Sequence, residues 1–479
     1  MEAAASRRWK KYHTLWAWLL LGWIVSAADR AITGPVVTWM IENEISFLGA
    51  SSQPHTLGGL VGSLFFAGYM LTQFPGGYLG DKFGHRTIIA ISVLWAGVTT
   101  FVSGLVTGLV GFIALRVITG LGEGTYYSND RTLIAEQTPF EKRSLGMGVV
   151  ITGLSIGITL ALLLSPYLIQ WGTVLLPEES GWRMPFFVLG ISTLIAGVGL
   201  ARYFRAQRPN LPYRGAVLEL LKYSVVFFAA IMAVYFLSES LGLPDYVVAA
   251  IELILAFLLI GFAFGKKGKE IAPVLYNKNL LLLYLAAIAI LWNLWFFSFW
   301  SVSIIANAAE TSFLKAALTA AFNAGAGILG FPAGGWLSDY AVRRGWGRKA
   351  MLLAFTLIQG FLTLAFGFYL MQGGQSVIVM AVLLFVTNLF FNALQPISQA
   401  LTADIATPEH RGSAFGMWNL IGEMGAVMSP VISGALRDAT GGWAAAVLLD
   451  GGLILVSFVL ILFVREKLDA GSSVVKASG

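Results

Sequence analysis

Fourteen runs of eighteen or more mostly apolar residues leave this chain few folds to choose from. They cover approximately 14–38, 56–79, 87–105, 107–133, 144–170, 184–204, 219–238, 245–264, 279–306, 315–340, 350–371, 376–402, 412–436 and 443–464. A helix of about 20 residues crosses roughly 30 Å of hydrocarbon with its backbone groups bonded internally. The runs therefore predict an all-α membrane protein whose first partner is the lipid bilayer. With 57% hydrophobic and 12% charged residues and a mean hydropathy of +0.76, the composition lies outside the range of water-soluble globules. The first run is long enough to span and no small-residue cleavage site follows it, so it is expected to be retained.

The absence of cysteine excludes disulfides and thiolate metal sites. No phosphate-binding loop, metal-ligand cluster or nucleophile motif is present, so no enzyme activity and no cofactor or metal are expected. His13, His55, His85 and His410 all lie near expected loops, which argues against a histidine proton relay inside the membrane.

Lysine and arginine set the orientation, because juxtamembrane cations stay on the cytoplasmic side. RRWKK, DKFGHR, EKR, RYFRAQRPNLPYR, GKKGK, RRGWGRK and VREK fall on one side. Only Arg183, Lys315 and Arg437 fall on the other, while Arg30, Arg116 and Arg131 lie within a span or at its edge. Both termini are thus expected in the cytoplasm, in a cell (inner or plasma) membrane. The net charge of +6 reports topology and gives no reason to invoke nucleic acid.

The chain also repeats itself. GGYLGDKFGHR (Gly76–Arg86) returns as GGWLSDYAVRRGWGRK (Gly334–Lys349), and TPFEKRSLGMG (Thr138–Gly148) returns as TPEHRGSAFGM (Thr407–Met417), at offsets of 258 and 269 residues. Two six-helix bundles in a pseudo-twofold arrangement follow, over 1–208 and 276–479. Two extra central helices and a cytoplasmic linker lie between them at 209–275. Such parallel repeats place a substrate site at their interface near the bilayer midplane.

GYLGDKFGHR resembles the loop signature between the second and third helices of the major facilitator superfamily. Within it the chain is similar to the anion:cation symporter family, which includes sugar-acid and hexuronate permeases and sialin-like organic anion carriers. The residues that carry this likeness are the DR of the first run, RVITGLGEG, GWR, LWFFSFW and GGWLSDYAVRRGW. GLGEGTYYS is also similar to spinster-like lipid carriers. The superfamily likeness covers nearly the whole chain outside about 210–275, and it implies the major facilitator fold.

Four charges stand inside the membrane: Asp29, Arg30, Arg116 and Glu123. Unpaired, each would cost about 2.5–3.5 kcal/mol on the insertion scale, so pairing or hydration is required. Arg116 and Glu123, seven residues apart, return to one helix face about 10 Å apart along the axis. Adjacent Asp29 and Arg30 point roughly 100° apart, so each is expected to meet another element. Arginine suits an anionic cargo because its planar fork donates two parallel hydrogen bonds and stays charged. A carboxyl suits proton exchange because a neighbouring guanidinium holds it ionised and an apolar site favours its protonated form.

The family likeness implies the same division of labour. Asp29 and Glu123 match proton-carrying carboxylates, Arg30 matches the substrate-anchoring arginine, and Arg116, placed here with the substrate-binding residues, matches an arginine that modulates the nearby acid. The alternative is a static charge network bracing two helices.

Tyr69 and Gln73, four apart, match cavity-lining positions and can bind sugar hydroxyls. Asn419 matches a substrate-contacting asparagine. Glu423, one turn later, departs from the family pattern and is a candidate third proton site, sodium ligand or contact to a basic substrate. Leu154 stands where sugar-acid carriers tend to have glutamine, which suggests a less hydroxylated ligand. Of Trp295, Phe296 and Trp300, one is expected to face the cavity, and Trp295 is taken as the binding residue. Asp81, Lys82, Arg86 and Asp339 belong to the loop signatures at the cytoplasmic rim and are assigned to gating. Glu252 in the inserted pair has no evident partner in the sequence.

The sequence therefore predicts a monomeric secondary transporter that rocks two bundles around a central site and moves a small organic anion, a carboxylate and possible sugar acid, with protons or alternatively sodium. A proton-driven exporter of an amphipathic compound or lysolipid is the alternative. A receptor that signals without flux is a third reading, weakened by the lack of an output domain.

Overall fold

The computed structural model describes residues 9–139, 143–208, 210–265, 268–407 and 410–466. The basic positions 7–8, 142, 266–267 and 467, used above for orientation, lie outside these. Among the described residues there are seventeen α-helices and no strand. In the first repeat they are α1 (Lys11–Glu42), the short α2 (Ser46–Gly49), α3 (Pro54–Phe83), α4 (His85–Ser103), α5 (Leu109–Glu123), α6 (Tyr126–Gln137), α7 (Arg143–Leu175) and α8 (Arg183–Gln207). The inserted pair forms α9 (Tyr213–Ser240) and α10 (Asp245–Gly265), followed by α11 (Gly268–Leu275). The second repeat contains α12 (Lys278–Ala308), α13 (Phe313–Arg343), α14 (Gly347–Met371), α15 (Val377–Ile405), α16 (Arg411–Thr440) and α17 (Ala444–Leu462).

Every expected run lies on helix, but the runs are not equal. Among the described residues ten helices are long and apolar enough to cross a membrane, and α3, bent by 43° between Gln73 and Pro75, makes an eleventh. Pro75 lacks an N–H and its ring crowds the preceding turn, which bends the helix there. Pro332 sits one residue from the matching place in α13. The other three expected runs correspond to α5 with α6, to α10 and to α16. The run at 107–133 is divided into helices of 15 and 12 residues. α16 carries Arg411, Glu423, Arg437 and Asp438 along its length.

Side-chain caps start three helices of the second repeat. Asn277 accepts from the backbone N–H groups of Asn279 and Leu280, Ser312 from Lys315 and Ser376 from Val379. Each satisfies donors that the first helical turn leaves open.

Two compact units divide the chain. One holds Met1–Ile32 and Gly68–Met232, the other Thr33–Ala67 and Ala233–Gly479. In the first unit the start of α9 packs on α3 and α4, through Ala216 and Leu220 against Leu79, Ile88 and Ile91. Lys82 at the end of α3 bonds Glu219 of α9 at 2.7 Å. In the second unit α10 lies along α16. There too the end of α1 and the start of α3 join the second-repeat helices: a Cβ at Gly34 would strike the Phe299 backbone, and one at Gly59 would strike Pro430. His55 Nδ1 contacts Asp438 Oδ1 at 2.7 Å, and the Thr56 N–H and hydroxyl both donate to Asp438 Oδ2. Asp438 of α16 thus serves the open N-terminus of α3.

α1 and α12, the first helices of the two repeats, are the most enclosed spans, with 72% of each apolar window buried. Charges on α1 therefore meet protein instead of lipid. The break between α5 and α6 follows directly on Glu123, the partner of Arg30. A Cβ on Gly124 would collide with the Tyr69 carbonyl oxygen of α3, so only glycine lets the broken helix approach so closely. Gly124→Ala is expected to destabilise the protein by about 1–3 kcal/mol, because a backbone atom cannot move aside as a side chain can. A melting curve of the purified variant in detergent checks this, and an unchanged midpoint would reject the close approach.

Candidate functional site

The intramembrane charges pair crosswise between α1 and α5. Arg30 Nε donates to Glu123 Oε2 at 2.8 Å, and Arg116 Nη1 lies 3.4 Å from Asp29 Oδ1. Neighbours on α1 diverge, as their 100° separation requires, and each finds an opposite charge on α5. The seven-residue spacing of Arg116 and Glu123 supplies the two levels.

Small hydroxyls complete the network. Ser26, one turn before Arg30, donates to Glu123 Oε2 at 2.7 Å and accepts from Arg30 Nη2 at 2.9 Å. Thr100 of α4 donates to Asp29 Oδ1 at 2.6 Å. Arg116 Nη2 donates to Ser103 at 3.1 Å and to Thr119 at 3.3 Å, and Thr119 in turn reaches Thr99. Buried ions need this many partners to offset the loss of water.

The four charges differ in what surrounds them. Asp29 and Arg116 are 0% exposed, Glu123 1% and Arg30 6%. Arg116 is enclosed by α1, α4 and α5, with the Phe186 ring 5.3 Å from its guanidinium carbon. Its contacts include Asp29 and the hydroxyls of Ser103 and Thr119. Arg30 keeps a small surface and lies over two rings, Tyr69 at 4.3 Å and Trp23 at 5.5 Å. Aromatic faces favour a guanidinium without consuming its hydrogen-bond donors.

The other sequence-derived positions fall in separate places. Tyr69 is buried under Arg30, and Gln73 is half-buried one turn further along α3. On α16, Asn419 Nδ2 lies 3.4 Å from Glu423 Oε1, and both residues are buried. Trp295 is buried with its ring 4.5 Å from that of Phe66, whereas Trp300 donates to the Pro430 carbonyl. Leu154 is buried in the first unit. Glu252 is 1% exposed, and neither carboxyl oxygen has a hydrogen-bond partner among the described residues.

At the loop signatures a basic side chain lies between two acids in each repeat. His85 Nε2 lies 3.6 Å from Asp81 and 3.8 Å from Glu136, while His85 Nδ1 meets Asn129 Oδ1 at 2.8 Å. Arg86 takes no part in that bridge, and its Nε has no partner among the described residues. In the second repeat Arg348 joins Asp339 and Asp404, each at 2.8 Å. Arg348→Ala removes both pairs yet keeps the Glu466 contacts, which go to the backbone of residues 348 and 349. The partners are half exposed, so a loss of about 1–2 kcal/mol is expected. Thermal unfolding measures it, and a variant as stable as the parent would show that the bridge contributes nothing.

Several site residues escape a reading of the sequence. Ser26, Thr99, Thr100, Ser103 and Thr119 look like ordinary small residues of apolar helices, and only the i−4 spacing of Ser26 from Arg30 hints at a role. Trp23 donates to Asp130 Oδ2 at 2.6 Å, and Asp130 is completely buried. Asn293 donates to the buried Asp450 across 157 residues of sequence, a pairing that no local pattern reveals.

A bundle of apolar helices that turns its ionised groups inward defines an integral membrane protein built to handle charge. Residues 19–314 and 295–477 match the Major Facilitator Superfamily. The chain is 25% identical to the D-galactonate transporter of Escherichia coli O6:H1, over 86% of this chain and 88% of that one. It is 26% identical to a probable galactarate/D-glucarate transporter of Escherichia coli K12, over 95% of each chain. In structure it is similar to a bacterial homologue of the human lysosomal transporter spinster, with a TM-score of 0.69, 15% identity, and 95% and 97% of the two chains covered. The chain belongs to the major facilitator superfamily: it is a multi-pass membrane transporter and not an enzyme.

Proposed function

We propose that this protein is a proton-coupled secondary transporter of small organic anions, with a carboxylate of the sugar-acid class as cargo. The observation that carries this reading is the Arg30–Glu123 pair, in which a guanidinium lies against two aromatic faces and is matched by one carboxylate. The names of both relatives given above, which specify sugar acids, support the same chemistry.

In this reading the cargo carboxylate takes Arg30 from Glu123. A carboxylate left alone in an enclosed apolar site takes up a proton, so anion and proton enter together. Asp29, held by Arg116 and Thr100, is the second proton carrier. Tyr69, Gln73, Asn419 and Trp295 are assigned to the remainder of the cargo, and Glu423 to a third proton or a sodium ion. Asp81, Arg86 and Asp339 are assigned to gating at the loop signatures.

The cycle is alternating access by two six-helix bundles, 1–208 and 276–479, with the inserted segment 209–275 between them. All fourteen apolar runs span in this reading, α5 with α6, α10 and α16 included. Both termini are cytoplasmic, and the protein acts as a monomer in a cell membrane. An inward proton gradient then drives uptake.

Proteoliposomes test the function directly. With an inward pH gradient, D-galactonate or a related sugar acid should accumulate, and a proton ionophore should collapse the accumulation. Transport that persists unchanged after collapse of the gradient would reject proton coupling.

A further inference from the structure

Beyond the central pairs, one cation of the first unit has work left to do. Arg131 on α6 lies eight residues after Glu123, and its guanidinium carbon is 5.8 Å from the Trp23 ring and 5.4 Å from the Tyr127 ring. Trp23 is the ring that also borders Arg30, at 5.5 Å. Both guanidinium carbons are thus tied to one indole, which limits their separation to about 11 Å, the sum of the two ring distances. Tyr69, Arg30, Trp23, Arg131 and Tyr127 form an alternating series of rings and cations. It leads from the central pair to the first half of α6.

The hydrogen bonds of Arg131 do not use up its donors. Nη1 donates to the Met147 carbonyl at 3.1 Å, and Nε lies 3.7 Å from Asp130 Oδ1, too far for a good hydrogen bond. Nη2 makes no hydrogen bond among the described residues. Asp130 cannot come closer on equal terms, because its other oxygen is held by Trp23 at 2.6 Å. The carboxyl is fully enclosed, while the arginine side chain is 19% exposed. A guanidinium carries five donors in a rigid fork, so an open edge remains that fits a carboxylate.

We propose that Arg131, walled by Trp23 and Tyr127, is a second anion site that takes the carboxylate of the transported anion after it leaves Arg30. The inference rests on the proposed function for its cargo. Arg30 releases the anion to a cation on the same indole, so the charge need not cross about 11 Å of protein unpartnered. Asp130 keeps this site weaker than the first by sharing the guanidinium, which favours onward release. The flat faces of Trp23 and Tyr127 suit the C–H surface of a short polyol acid.

Calorimetric titration of the purified full-length protein with D-galactonate, with acetate as a bare carboxylate for comparison, decides the matter. The expected result is two classes of binding. Arg30→Ala removes the tighter one, and Arg131→Gln weakens the other by roughly 10- to 100-fold, the value of one charge-assisted hydrogen-bonded contact. Arg131→Lys should recover part of that loss, which a purely structural role at Met147 would not explain. Tyr127→Leu, which keeps every hydrogen bond of Arg131, should weaken the same class severalfold. A single class lost in Arg30→Ala and untouched in Arg131→Gln and Tyr127→Leu would overturn the second site and leave the proposed function standing. A class that depends on Arg131 but not on Arg30 would support the second site and reject the central anchor. Absence of any carboxylate binding to the wild type would overturn both.

Discussion

Glu123→Gln is expected to convert a concentrating transporter into one that only equilibrates its cargo. The amide keeps the shape of the carboxyl, and its oxygen can still accept from Ser26 and Arg30, which now bond Glu123 at 2.7 and 2.8 Å. It cannot take or give up a proton in the working range. If one proton accompanies each anion, a gradient of one pH unit sustains about a tenfold accumulation, since 1.4 kcal/mol is a factor of ten. The wild type should reach that ratio. The variant should stop near unity while exchanging labelled for unlabelled anion at a rate close to normal. Preserved accumulation in Glu123→Gln liposomes would remove this residue from the coupling machinery.

Arg30→Ala should bring the larger loss of affinity. Truncating one partner of a buried, hydrogen-bonded charge pair costs about 2–5 kcal/mol, so a carboxylate cargo should bind at least 30-fold more weakly. The variant also leaves Glu123, 1% exposed, without its cation. A carboxyl so placed can recover by accepting a proton, so the protein should still fold, with a lower melting point. Arg30→Lys separates the two effects. It restores a positive charge beside Glu123 but not the two-pronged geometry, so stability should return more fully than binding. Equal affinity in all three proteins, measured by titration, would mean that the cargo is held elsewhere.

Much of this site could be read from the chain because charge is expensive in oil. Asp29 and Arg30 stand out in an apolar run, and helical geometry alone says that neighbours diverge and that Arg116 and Glu123 share a face. That each would need a partner on another element followed from those two facts, but which charge meets which did not. The hydroxyl cradle did not, because Ser26, Thr100 and Ser103 cost little in a helix and bear no mark until a charge is placed beside them. The division of 107–133 at Gly124 was equally hidden, because the need for glycine there arises from Tyr69 on another helix. Arg348 and Asp404 were missed because their pairing is set by where α13, α14 and α15 end. The same limit concealed Asn293 and Asp450, which meet through packing and not through spacing.

The two loop signatures differ in one informative respect. Arg348 is charged at any working pH, whereas His85 carries charge only when protonated, so the bridges in the two repeats are not equivalent.

Proton release or uptake during binding is the most direct measure of whether Arg30 trades Glu123 for the cargo. Titrating purified protein with D-galactonate at pH 7, in two buffers of different ionisation enthalpy, gives the number of protons exchanged per anion bound. Uptake of about one proton is expected for the wild type and none for Glu123→Gln, with affinity falling as pH rises. Tight binding to the wild type with no proton taken up would contradict the exchange of partners on which the mechanism depends.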